Sequence, residues 1–243
     1  MNYHLYFSPT GGTKKATDIL CAELGKSFAE LDMTLPEERK KQRVFGDNDL
    51  VVMGCPVYGG RLPQIDDLWE NIEGRNTPCI LCACFGNRDY DDMLLEWKNK
   101  MEAKGFICIA AAAIVIPHVY SDKLGAGRPD NDDIKEIKEF AKAVLNKKDK
   151  TSVGVRGHFP YKEWKKSAVT PIKNAECTNC GLCRKLCPTE AIDEHCIGNP
   201  EKCIQCMKCV RCCPHQARQM DTSAIQKYLE SNYLTRHSNE FFI

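Results

Sequence analysis

The sequence lacks a charge excess: 34 Lys and Arg stand against 33 Asp and Glu, a formal net charge of +1. A bulk electrostatic nucleic-acid binder or a disordered chain needs a stronger bias, or a poorer apolar content than the 43% hydrophobic residues here. Long apolar runs are missing too. The longest, residues 106–117 (FICIAAAAIVIP), is about half the roughly 20 residues that a membrane-spanning helix needs. It also lies deep in the chain, away from a signal-peptide position. The protein is therefore expected to be soluble and cytoplasmic, with neither nucleic acid nor a membrane span among its associations. No G-x-G-x-x-G dinucleotide fingerprint is present, which weakens direct reduction by NAD(P)H without excluding it.

Cysteine is abundant, and its distribution is uneven. Of 16 cysteines, six (Cys21, Cys55, Cys79, Cys82, Cys84, Cys108) are scattered through the first two thirds, and ten crowd into residues 177–213. That asymmetry implies two domains, and 243 residues suffice for one core plus a small satellite. In a reducing compartment dense cysteine binds metal more readily than it forms disulfides. Charge divides at the same place. Residues 1–150 carry 21 basic and 24 acidic side chains, net −3, and residues 151–243 carry 13 and 9, net +4. The basic excess is what two thiolate-ligated iron–sulfur groups of about −2 each would cancel.

The first two thirds alternate. Residues 3–7 are a short apolar stretch ending in Ser8-Pro9-Thr10-Gly11-Gly12-Thr13, and an amphipathic segment follows with Ala16, Ile19, Leu20, Leu24 and Phe28 at helical spacing. Residues 49–55, 78–85 and 106–116 are continuous apolar runs, the pattern of strands buried on both faces. A weaker strand is expected near 29–34, and helices at 68–72, 93–101 and 134–145. The pattern predicts an α/β fold, a doubly wound parallel sheet of five strands with about five helices. Cys79 and Cys82, an odd number apart on one strand, should face opposite ways and cannot pair. The six early cysteines are read as small buried hydrophobes, with Cys55 and Cys84 near the carboxyl ends of strands.

Ligands of such sheets bind beyond those carboxyl ends. The turn after the first strand brings backbone N–H groups, a helix N-terminus and the hydroxyls of Ser8, Thr10 and Thr13 toward one anion, most plausibly phosphate. A plain capping turn reads the same way in isolation. Two more loops stand at that edge: CPVYGGRLP at 55–63, and FGNRDYDD at 85–92. Taken together, the turn SPTGGT and these two loops resemble the flavin mononucleotide loops of flavodoxin-like proteins. The resemblance implies that Ser8, Thr10, Gly11, Gly12 and Thr13 hold the FMN phosphate. It also implies that Pro56, Val57, Tyr58 and Gly59 line one side of the isoalloxazine, with Phe85, Gly86, Asn87 and Tyr90 near its other parts.

The last third contains a repeat. Cys177-x2-Cys180-x2-Cys183-x3-Cys187-Pro188 recurs as Cys203-x2-Cys206-x2-Cys209-x3-Cys213-Pro214, offset by 26 residues, and Ala191 recurs as Ala217. This is recognised as a match to the known ligation run of bacterial two-cluster ferredoxins, in which the fourth Cys serves the other cluster. Cys177, Cys180, Cys183 and Cys213 should then bind one [4Fe–4S] cluster, and Cys203, Cys206, Cys209 and Cys187 the second. A zinc knuckle gives no reason for a third Cys at the same interval or for the Pro. Cys196 and Cys212 are surplus.

The whole chain thus resembles the ferrodoxins, fusions of a flavodoxin-like FMN domain with a 2[4Fe–4S] ferredoxin domain. The expected layout is an FMN-binding domain at 1–147, a linker at 148–171, a small α+β ferredoxin-like domain at 172–220, and a helix and tail at 221–243. Phe159, Tyr161 and Trp164 in the linker should pin the domains together. Residues 117–130 read either as a lid, with His118 or Arg128 polarising a bound group, or as an ordinary connection capped by Asp130. The tail Phe241-Phe242-Ile243 should dock on a neighbour, in the same chain or in a homodimer. The first function that fits is an oxidoreductase fed by a soluble carrier such as ferredoxin, whose flavin reduces a small molecule or a partner protein. The alternatives are a pure electron-carrier module without its own substrate and an NAD(P)H-dependent flavin reductase.

Overall fold

The apolar runs become strands because helices cover both faces of the sheet they form. The computed structural model describes residues 1–165 and 168–243. In chain order the elements are β1 (Asn2–Tyr6), α1 (Gly12–Glu23), β2 (Ala29–Asp32), α2 (Pro36–Arg39), β3 (Arg43–Phe45), β4 (Leu50–Pro56), β5 (Ile72–Gly74), β6 (Thr77–Phe85), α3 (Met93–Ala103), β7 (Phe106–Val115) and α4 (Asn131–Asn146). The cysteine-rich part holds β8 (Ile172–Lys173), α5 (Leu182–Lys185), α6 (Lys208–Arg211) and β9 (Arg218–Gln219). The chain closes with α7 (Ser223–Tyr233) and β10 (Glu240–Phe242).

Five strands run parallel in the order β2-β1-β4-β6-β7. Counting only these strands, the order is 2-1-3-4-5, the flavodoxin-like form of the doubly wound sheet. Every residue of β6 is buried. Alternate side chains feed two cores: Cys79, Leu81 and Phe85 pack with Trp69, Trp97 and Met101 on the α3 side, and Ile80, Cys82 and Cys84 pack with Leu20, Ile137 and Phe140 under α1 and α4. Cys79 and Cys82 therefore do face opposite ways.

Several elements differ from the sequence reading. α2 and the small parallel β3–β5 pair fall where no element is expected. Residues 68–71 form turns leading into β5, because Leu68 and Trp69 act as anchors, with Trp69 stacked on Trp97 at 5.3 Å, and the segment is too short to nucleate a helix. The sheet has a sixth strand. β10 pairs antiparallel with β7, Phe241 opposite Ala112, so the apolar tail docks within its own chain.

The cysteine-rich part is closed by the β8–β9 pair, in which Ile172 faces Gln219. It is tied to the sheet domain by Arg39, whose buried guanidinium donates to Thr34 O at 2.9 Å, to Asp67 at 3.0 Å and, across the boundary, to Pro188 O at 2.8 Å. Of the linker aromatics, Tyr161 ties the linker to the sheet domain alone: Asn99 donates to its hydroxyl at 2.8 Å, and Arg61 lies 5.1 Å from its ring centre. Phe159 is 79% exposed and only stands edge-on to Tyr161, so it pins nothing.

Candidate functional site

The carboxyl ends of β1, β4, β6 and β7 open on a cleft of about 810 Å³, within the range of cofactor sites. Ser8, Thr10 and Thr13 line one end, and Pro56, Val57, Tyr58 and Gly59 line a side. Gly86, His118 and Tyr120 form the rim after β6 and β7. The opposite wall comes from the linker, the cysteine-rich part and α7: Trp164, Cys203, Cys206, Met220 and Ile225.

Local chemistry explains the first end. Gly11, at φ +87°, caps α1 in the left-handed region, where a side chain would be strained. No side chain caps α1 through its N-cap residue, and no acid stands in its first turn. Ser8 Oγ accepts from Lys14 N at 3.0 Å, while Ser8 N is fixed by Thr34 Oγ1 at 3.0 Å. α4 shows the alternative: Asp130 accepts from Asp132 N and Asp133 N, and Asp133 returns a bond to Asp130 N at 2.7 Å. With Lys14 N taken by Ser8 Oγ, the N–H groups of Gly12 and Thr13 have no side-chain cap, and the positive dipole end of a helix so placed at a cleft favours an anion there.

The second aromatic loop behaves otherwise. Of Phe85, Gly86, Asn87 and Tyr90, only Gly86 lines the cleft. Phe85 and Tyr90 are core residues, and the Tyr90 hydroxyl donates to Glu240 at 2.6 Å. Asn87 donates from Nδ2 to Tyr233 O and Thr235 O, at 2.6 and 2.9 Å, and accepts from His237 N. These side chains hold the carboxy-terminal segment, whose path no loop motif discloses. Arg128, expected as a group that could polarise a ligand, likewise stands outside the cleft lining. It is buried in a bidentate pair with Asp133 and donates to His237 O at 3.1 Å, well committed before any ligand arrives. Asp130 is the cap that the alternative reading expects.

His118 does line the cleft. Its Nδ1 accepts from Tyr120 N at 3.1 Å, and burial, with Arg88 as a lesser cause, depresses its pKa to about 4. The ring is neutral at pH 7. An unfolded histidine near 6.5 takes up a proton before the folded one does, so this contribution is complete above pH 6.5 and is lost as pH falls toward 4. Between pH 7.5 and pH 5 the loss is about 2 kcal/mol. Chemical denaturation at the two pH values should show it, and His118→Asn should remove most of that difference. Cys84 also lines the cleft, with its thiol pushed up to about 12 by burial, while Cys55 belongs to the core. The contributions of Met220 and Ile225 are invisible in the sequence, which shows a helix at 221–233 but not which side it turns to the sheet.

Nine of the ten late cysteines fall around two small cavities. Cys187, Cys203, Cys206 and Cys209 line one, and Cys177, Cys180, Cys183 and Cys213 line the other together with Cys196. Each quartet combines three cysteines of one run with the fourth of the other. Backbone N–H groups point at the sulfurs with the symmetry of the repeat: Ala191 N to Cys187 Sγ at 3.2 Å, and Ala217 N to Cys213 Sγ at 3.3 Å. Such donors favour sulfur that carries charge. Each set, a quartet of sulfurs beside a buried guanidinium whose Nε has no partner among the described residues, fits a thiolate-ligated cluster. Cys212 Sγ lies 3.8 Å from Cys209 O and lines neither cavity.

Comparison with known proteins follows this division. The family of 4Fe-4S binding domains matches residues 170–193. A probable flavodoxin 2 of Bacillus subtilis (strain 168) is 28% identical over 141 residues, 57% of this chain and 92% of its own length. The chain is a flavodoxin-like domain fused to a ferredoxin-type domain. An uncharacterized protein of Methanocaldococcus jannaschii is 25% identical over 140 residues, 55% of this chain and 89% of its own. Among solved structures, oxidised Flavodoxin 2 from Bacillus cereus covers 59% of the fusion and 97% of itself at 14% identity, TM-score 0.41. Two-electron reduced Megasphaera elsdenii flavodoxin covers 60% and 100% at 18% identity, TM-score 0.39. The strand order carries the fold assignment independently of these superpositions. The pairing of the two domains is that of an electron-transfer flavoprotein, and no helix among the described residues is long and apolar enough to cross a membrane.

Proposed function

We propose that the cleft holds FMN, that the two cysteine quartets hold two [4Fe–4S] clusters, and that the fusion passes electrons between soluble one-electron carriers of the ferredoxin type and the flavin. A cluster exchanges one electron and a flavin one or two, so the pair supplies conversion between single-electron carriers and two-electron chemistry. The observation that supports this reading is the shared cleft. The phosphate-type turn and Tyr58 form one wall, and Cys203 and Cys206 form the other.

The chain's own residues divide the work. Ser8, Thr10, Thr13 and the open end of α1 bind the phosphate, and Pro56 to Gly59 orient the ring. Tyr120 fixes the facing loop by donating to Gln205 O at 3.0 Å, between the two cysteines. Cys180 is exposed, so its quartet faces incoming carriers, while Cys203 and Cys206 present the other quartet to the flavin. The electrons then serve a small molecule or a partner protein at the flavin.

Anaerobic titration of the chain with FMN and with riboflavin tests the phosphate assignment. Two charge-assisted hydrogen bonds at about 1.5 kcal/mol each make FMN bind about a hundredfold more tightly. Equal affinities would remove the turn from the site.

A further inference from the structure

The repeat interval of 26 extends past the cysteines: Ala191 matches Ala217, and the next residue, Ile192, matches Arg218. One copy keeps a hydrocarbon where the other has a permanent cation. Both are buried, Ile192 at 6% and Arg218 at 3% exposure. A buried cation is costly unless its charge and donors are answered. The answers here are incomplete. Nη1 donates to Cys196 O at 2.5 Å, and Nη2 to Pro171 O at 2.7 Å and, at 4.0 Å, to Cys209 Sγ. Those partners are two carbonyls and a sulfur, with no carboxylate, and Nε has no partner among the described residues.

Arg218 also lines both cysteine cavities, so it stands in the partition between the two quartets. Resting on the two-cluster reading above, we propose that Arg218 is a tuning residue common to both clusters, whose guanidinium is balanced by their negative charge and raises their reduction potentials. With its four thiolates, a cluster goes from about −2 to about −3 on accepting one electron from the external carrier, and no bond or proton moves. A fixed positive charge in low dielectric stabilises the −3 form more than the −2 form. Arginine suits the position because it stays protonated when buried and offers donors in several directions.

The test is an anaerobic redox titration of the reconstituted full chain followed by electron paramagnetic resonance, with iron content measured in parallel. Arg218→Gln removes the charge. Arg218→Ile copies the repeat's own residue and leaves no polar stub. Both neutral variants should lower the two midpoints, each by about a tenfold change in the reduced-to-oxidised ratio at fixed potential, which is about 59 mV for one electron. Arg218→Lys should restore most of the shift. Iron lost from both neutral variants but kept in Arg218→Lys supports the same role of the charge. A neutral variant that keeps its iron and whose reduced-to-oxidised ratio at fixed potential stays within twofold of the parent's overturns the proposal, as does loss of iron from all three variants, which marks a structural role. Fewer than about eight irons in the parent chain overturns the two-cluster reading itself, and the proposal with it.

Discussion

Replacing Cys203 and Cys206 together with Ala should empty one cysteine cavity and disconnect the flavin from external carriers. The iron content of the reconstituted chain is expected to fall from about eight to about four atoms. The other quartet, Cys177, Cys180, Cys183 and Cys213, keeps its cavity and one set of N–H donors. Bleaching of the flavin by a reduced ferredoxin should slow by roughly a hundredfold, the upper end of what the loss of even supporting residues costs a metal site. Direct chemical reduction of the flavin should be unchanged, because Ser8, Thr10, Thr13 and Tyr58 belong to the other domain. Cys203 and Cys206 line both their own cavity and the cleft proposed for the flavin, and no cysteine of the other quartet lines that cleft. Stopped-flow absorbance with iron analysis checks it. An unchanged rate with four irons gone would show that electrons reach the flavin by another route.

The largest effect on stability is expected from Asp133→Ala. Asp133 is fully buried. Its carboxylate pairs with Arg128, accepts from Asn239 Nδ2 at 2.8 Å and caps α4 through Asp130 N at 2.7 Å. Arg128 and Asn239 in turn hold the carboxy-terminal segment: Arg128 through His237 O, and Asn239 by accepting from Val115 N at 2.9 Å. Removing one partner strands a guanidinium that is almost wholly buried, at a cost of about 3–5 kcal/mol. Urea denaturation should show that loss. Replacing both members, Arg128→Met with Asp133→Leu, should recover more than half of it, since a well-packed apolar pair removes the stranded charge. A double variant no better than the single one would place the stability in the cap and tail contacts, not in the pair.

The parts legible in the sequence are those fixed by local period. β4, β6 and β7 announce themselves because strands buried on both faces must be apolar throughout, and the quartets do because the cysteine run repeats residue for residue. The turn at Ser8–Thr13 and the loop at Pro56–Gly59 are legible because they follow directly from strand ends. What escapes reading is decided by contacts far apart in sequence. Nothing near Asn87 or Tyr90 shows that the chain returns some 150 residues later, so a loop with a flavin-type motif holds Tyr233 O, Thr235 O and Glu240 instead. Arg128 looks available in a glycine-rich connection, yet Asp133 in the first turn of α4 captures it. The apolar tail is correctly marked for docking, but only pairing with β7 identifies the partner as its own sheet.

The central claim is that this fusion delivers electrons to its flavin from the cysteine-rich side. Anaerobic rapid mixing of the fully loaded chain with NADH, with NADPH and with a reduced two-cluster ferredoxin tests it most directly, following cluster and flavin absorbance together. The account predicts bleaching by ferredoxin alone, with the cluster signal changing before the flavin signal. Fast bleaching of the flavin by a nicotinamide, ahead of any change at the clusters, would contradict it.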